Sequence, residues 1–178
     1  MPIRPGSAHA GSTVDAGGVK AIETFVVDSD GWSHAQIVDA CRLILRAVQG
    51  SVSRYETDVP TTSGDWPPDV VAAADVLRGV ATRTGRVESQ GYARTGAIRA
   101  VRDEVWSAFV TFAPWSYDAT VWDVDGHDSV SFADEGESVV VRLDRHRYDA
   151  IAAVLGETRL VPEDEWRRRL KQRRKHQA

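Results

Sequence analysis

The stretch from Trp106 to Leu143 constrains the fold more than any other part of this chain. It reads WSAFVTFAPWSYDATVWDVDGHDSVSFADEGESVVVRL, with runs of β-branched and aromatic residues broken at Ala113-Pro114, Asp125-Gly126 and Glu135-Gly136. Such residues suit a pleated, half-buried surface. Asp-Gly between two such runs is a strong short-range hairpin signal. The pattern predicts an antiparallel meander of Trp106–Phe112, Tyr117–Val124, Ser129–Ala133 and Ser138–Leu143. Between Asp103 and Val141 every charged side chain is acidic: Asp103, Glu104, Asp118, Asp123, Asp125, Asp128, Asp134, Glu135 and Glu137.

Three helices are expected around this meander. Ser33 is positioned as an N-cap, with Gln36 completing a capping box, Ile37, Cys41, Ile44, Leu45 and Val48 recur along one face, and Gly50 is expected as the left-handed C-terminal stop. Pro67-Pro68 opens a second helix with Val70, Ala73, Ala74, Leu77, Val80 and Ala81 on its apolar side. Asp144 caps a third, in which Tyr148, Ile151, Ala152 and Leu155 share a face and Gly156 closes the helix. Strands are expected at Val19–Val27, Val52–Tyr55 and Thr158–Val161. Arg86–Glu104 fits helix or strand and is read as strand. The expected class is therefore α+β: an antiparallel meander (about 106–143) with helices 34–49, 67–83 and 145–155 packed on one face.

The 178 residues suffice for one domain with a real core, and an apolar fraction of 42% is ordinary for a globular protein. The domain is placed at residues 19–161, after a Gly-, Ser- and Ala-rich arm (1–18) with little to bury. No apolar run is long enough to span a bilayer, and no secretory signal pattern opens the chain, so a cytoplasmic location is expected. Arginine outnumbers lysine heavily, a compositional association with high-GC bacterial genomes. The single cysteine, Cys41, is expected to be buried and inert.

The net charge of −4 hides a split. Residues 162–178 form a basic C-terminal helix or tail, with seven cations between Arg167 and Lys175 behind Glu163, Asp164 and Glu165. That order suits the helix dipole at both ends. The tail raises the prospect of nucleic-acid binding, but it has no interleaved aromatics beyond Trp166 and matches no recognisable nucleic-acid module.

Three short motifs carry chemistry in principle. Phe25-Val-Val-Asp28-Ser-Asp30-Gly31 resembles the first motif of haloacid-dehalogenase-type phosphatases. The resemblance implies Asp28 as nucleophile, Asp30 as acid/base and Mg²⁺ to neutralise charge. Trp32 departs from that pattern, and no lysine stands between Lys20 and Lys171 to complete the family's site. Gly31-Trp32-Ser33-His34-Ala35 resembles a serine-hydrolase elbow, but a single strand precedes it, and capping already accounts for Ser33. Asp123, Asp125, His127 and Asp128 crowd four possible metal ligands into six residues, yet Asp128 stands where a calcium loop needs glycine. A hairpin turn explains them without a metal. The sequence calls for no catalytic residue and no cofactor.

What remains is an acidic surface with aromatic residues. Alternation places Thr120, Trp122 and Val124 on one face of their strand, with Ala119, Val121 and Asp123 on the other. The expected partner-binding residues are Trp115, Tyr117, Asp118, Trp122, Asp123, Asp125, His127 and Asp128. Aromatic anchors ringed by carboxylates suit the capture of a basic protein. The leading expectation is a non-enzymatic bacterial protein-binding domain, in its sharpest form an antitoxin- or immunity-type inhibitor of a basic toxin. The alternatives are a Mg²⁺-dependent phosphatase using Asp28 and Asp30, and nucleic-acid binding through the tail.

Overall fold

The computed structural model describes residues 22–62, 64–84, 91–99, 103–156 and 159–177. The expected N-terminal arm lies outside them, as do residues 19–21 of the first expected strand. Within them the fold is α+β, with five α-helices and an eight-stranded sheet. In chain order the elements are β1 (Glu23–Val27), α1 (His34–Val48), β2 (Val52–Pro60), α2 (Pro68–Thr84), β3 (Tyr92–Arg94), β4 (Ile98–Arg99) and α3 (Asp103–Phe112). There follow β5 (Asp118–Asp123), β6 (Asp128–Ala133), β7 (Ser138–Leu143), α4 (Arg145–Leu155), β8 (Leu160–Pro162) and α5 (Glu163–Gln177). The strand order is β3-β2-β5-β6-β7-β1-β8, with β4 also paired to β2. Every pairing among the described residues is antiparallel.

The local signals that needed only neighbouring residues hold. Ser33 and Gln36 form a reciprocal capping box, and Asp144 accepts from the Arg147 N–H at 2.9 Å. Gly156 takes φ +92° as it ends α4, a conformation that glycine adopts without a Cβ penalty. The meander is present as β5, β6 and β7. Its second turn takes positive φ at Asp134, Glu135 and Gly136. A Cβ on Gly136 would meet Ile37 Cγ2 and the Pro114 carbonyl at 3.2 Å, so this turn is pressed against α1.

Five expectations need correction. Trp106–Phe112 is not the first strand of the meander but the body of α3. Val105, Phe109 and Phe112 form one apolar row of it and Trp106 and Val110 another, both buried, while Asp103 and Glu104 sit in the first turn, where the helix dipole favours them. The helical spacing was present, but aromatic and β-branched content outweighed it. Gly50 is not a left-handed stop, because α1 runs into a 3₁₀ turn over Gln49–Ser51. The short strand expected at Val52–Tyr55 is the nine-residue β2, and the expected Thr158–Val161 strand is seen at Leu160–Pro162. In the ambiguous region, β3 and β4 are strands while Asp103 and Glu104 belong to α3, and residues 85–90 and 100–102 lie outside the described set.

The core lies between the sheet and the first four helices. Tyr55, Val121, Val130, Phe132 and Val141 face Ile44, Leu45, Leu77, Phe109 and Ile151 in one buried cluster. Four helices cover this face rather than the expected three, since α3 joins them. The fifth covers part of the other face. Phe25 and Val27 join the core, so Val26 points away from it, as does its partner Val161. Both are buried, and α5 packs against β1 and β8 there. From β7 to β2 no helix among the described residues covers that second face, which is called the open face below. No helix among the described residues is long and apolar enough to cross a membrane.

Candidate partner-binding face

Strand alternation builds the open face row by row. In β2, Tyr55, Thr57 and Val59 are buried while Arg54 is exposed and Glu56 and Asp58 are half-exposed. In β5, Ala119 and Val121 are buried, with Asp118, Thr120 and Trp122 turned outward. Cross-strand register then fixes the neighbours. One row runs Arg99, Arg54, Trp122, Asp128. The next runs Glu56, Thr120, Ser131, Val140. A third holds Arg94 opposite Asp58, which lies beside Asp118, and then Ala133 and Ser138.

The third row ends in the most acidic part of the face. Asp58 Oδ1 accepts from the Asp118 N–H at 3.0 Å, which draws the two carboxylates together. Burial pushes the Asp58 carboxyl above its ordinary value, and the Asp118 charge adds to this, while the Asp118 N–H and Arg94 oppose it. A small cavity of about 50 Å³ opens here between Glu56, Asp58, Arg94 and Asp118. Beside it Tyr92 and Tyr117 meet edge to face, with ring centroids 5.6 Å apart. Tyr117 is 47% exposed. The Tyr92 hydroxyl is held above its usual range by partial burial, by the Tyr117 hydroxyl and by the charges of Asp58 and Glu135. A perturbed carboxylate in a cleft, flanked by solvent-facing aromatics, has the character of a functional site.

The other expected residues are distributed differently. Trp122 lies in the first row, with the Arg54 guanidinium 4.8 Å from its ring centre, and Asp128 is ion-paired to Arg142. Trp115 is not on this face: it sits in a 3₁₀ turn after α3, edge-on to His34 at 4.5 Å, and its indole Nε1 is buried. Asp123 is buried and closes the hairpin, accepting from the N–H groups of Asp125 at 3.0 Å and His127 at 2.9 Å. Asp123, Asp125 and His127 offer ligand atoms within 4.8 Å of one another, but turn closure already explains the buried carboxylate. Asp125 and His127 are exposed at the turn, and Val124 sits beside them, 73% exposed, beyond the end of β5 rather than on its face. The turn and the tyrosine pair therefore occupy opposite ends of β5.

The acidic stretch is also less isolated than its sequence. β2, β3 and β4 bring Arg54, Arg94 and Arg99 alongside it, and β7 adds Arg142. Asp58, Tyr92 and these arginines were missed as site residues. The missed signal was the strict alternation of Ser53-Arg54-Tyr55-Glu56-Thr57-Asp58-Val59, which marks a strand with one charged face.

The phosphatase-like motif has other engagements. Asp28 Oδ1 accepts from the Asp30 N–H, its Oδ2 lies 3.4 Å from Arg169, and Arg159 donates to the carbonyls of both aspartates at 3.0 Å. Arg169 thus ties this loop to α5, and Arg159, just before β8, holds its backbone. Cys41 is buried, with its thiol pushed up to about 12 by burial, as expected of an inert core residue. A larger cavity of about 470 Å³ opens between β1, the end of β7 and the first turn of α4. Its most prominent cation, Arg145, is held by Asp149 at 3.0 Å and lies over the Tyr148 ring. The open face is the stronger candidate. No family model, curated protein or solved structure matches the chain.

Proposed function

We propose that this chain is a non-enzymatic, bacterial protein-binding domain that captures a basic partner, in the manner of an antitoxin or immunity-type inhibitor. The observation that carries the reading is the tyrosine pair, Tyr92 and Tyr117, set edge to face beside the carboxylates of Asp58, Asp118 and Glu135 on an open sheet. The carboxylates attract and orient a cationic group, and the rings cover it once it has docked. Keeping Asp58 partly buried beside a second carboxylate opposes folding at neutral pH, and a partner's cation relieves that opposition. The phosphatase alternative has weaker support, because the Asp28 carboxylate is engaged by Arg169. Nucleic-acid binding through α5 is weakened likewise: Arg167 pairs with Glu163 and Arg169 with Glu165.

The test is differential capture from the native cell with the full chain, comparing wild type with Asp58→Asn/Asp118→Asn and with Tyr117→Ala. A protein of high isoelectric point should be retained by wild type and lost from both variants, and its association rate should fall with salt. Equal retention by all three forms would remove the tyrosine pair and its carboxylates as the binding site. Hydrolysis of a phosphate ester with Mg²⁺, abolished by Asp28→Asn, would replace this reading with the phosphatase.

A further inference from the structure

We infer that the open face is a two-pole docking surface for an extended protein segment carrying a cation and a carboxylate four residues apart. The cation meets the Asp58–Asp118 pole, and the carboxylate meets Arg54 and Arg99. This deepens the protein-binding reading above and rests on it.

Arg54 and Arg99 are directly opposite in the β2–β4 register, and both are exposed on the open face. Like charges placed directly opposite each other destabilise a sheet. Among the described residues neither arginine forms an ion pair, whereas Arg142 on the same face is neutralised by Asp128. Trp122 holds the Arg54 guanidinium over its ring, which lowers the entropy lost when a carboxylate binds it. A guanidinium also presents paired donors that match a carboxylate fork to fork.

Distance links the two poles. Arg54 and Asp58 are four residues apart on β2, and Trp122 and Asp118 are four apart on β5, which is about 13 Å at the rise of an extended chain. Side chains at i and i+4 of an extended segment point to the same side, so one such segment reaches both poles. Between them lies the row of Glu56, Thr120 and Ser131, and the small side chains of Thr120 and Ser131 leave room for a crossing backbone. Asp58 and Asp118 repel phosphates, which favours a peptide over a nucleic acid as occupant.

A displayed library of random 12-residue peptides, panned on the full chain, tests this. Wild type should enrich peptides with Lys or Arg four residues from Asp or Glu. A synthetic peptide of that consensus should bind at least about tenfold more weakly when its acid is replaced by the amide, as for loss of a close charge pair. On Arg54→Ala/Arg99→Ala the amide replacement should make no difference, and a thermal melt should show this variant folded. Peptides enriched for cations alone, and indifferent to Arg54→Ala/Arg99→Ala, would overturn the two-pole inference while leaving the Asp58–Asp118 pole standing. Indifference to Asp58→Asn/Asp118→Asn would instead count against the protein-binding reading. Tight binding of a 20-nucleotide oligo(dT), lost in Arg54→Ala/Arg99→Ala, or enrichment with no charge pattern, would also overturn the inference.

Discussion

Tyr55 and Glu56 are neighbours in β2, yet they belong to different surfaces. Tyr55 is fully buried against Trp106 and Phe109, with ring centroids 5.0 and 4.6 Å away, and burial pushes its hydroxyl up to about 12. Glu56 turns the opposite way, into a row of half-exposed polar residues. On the helix-covered face nearly every position is apolar and its neighbours are other core side chains. On the open face arginines, carboxylates and aromatics sit in register, with no helix among the described residues covering them. The contrast separates what holds the molecule together from what it presents to others: substitutions on the first face should change stability, and substitutions on the second should change binding.

The largest expected effect is on the covered face. Phe109→Ala removes a fully buried ring that touches Tyr55 and Trp106, and should cost about 3–5 kcal/mol in denaturant unfolding. A loss below about 1 kcal/mol would mean that α3 is not packed as described.

The hairpin turn sharpens the comparison, because it holds one aspartate of each kind. Asp123→Ala leaves two turn N–H groups without their acceptor and should cost about 1–3 kcal/mol. Asp125→Ala, at an exposed position two residues on, should stay within about 0.5 kcal/mol. Similar melting temperatures for the two variants would break the distinction.

Trp122 tests the open face directly. It is half-exposed, so Trp122→Ala should leave a folded domain, with a loss of about 1 kcal/mol from its contact with Arg54. The same substitution should speed release of a bound partner far more than it lowers the melting temperature. Unfolding of this variant would place Trp122 in the core.

The smallest stability effect belongs to Asp58, and its sign is opposite to that of an ion-paired carboxylate. Its folded-state pKa is raised above 3.8, chiefly by burial. Its contribution is therefore fully present below 3.8 and is lost as pH rises through the raised value, because the folded state holds the proton more tightly. Asp58→Asn keeps an acceptor for the Asp118 N–H and should be at least as stable as wild type at pH 7. Stability followed against pH should show that advantage shrinking toward acid. A variant less stable at pH 7 would mean that the charge of Asp58 is satisfied in the fold, removing one reason to see it as poised for a cation.

The sequence alone determined the features whose causes are local. The capping box at Ser33–Gln36, the Asp144 cap, the Asp125-Gly126 turn and the alternation in β5 depend on residues a few positions apart, so they were legible without the fold. Tertiary structure decided the rest. Trp106–Phe112 is strand-like in composition, and packing against α1, α2 and the sheet selects the helical periodicity also present in it. The site depends still more on long-range pairing. Nothing near Asp118 in sequence indicates that Asp58 lies beside it, or that Arg54 lies over Trp122. Those contacts join residues 60 and more positions apart, and only the β2–β5 register brings them together. A run of acids in a sequence has a sign and a count, but the field of a surface belongs to all the strands that meet there, and here four of them supply arginines.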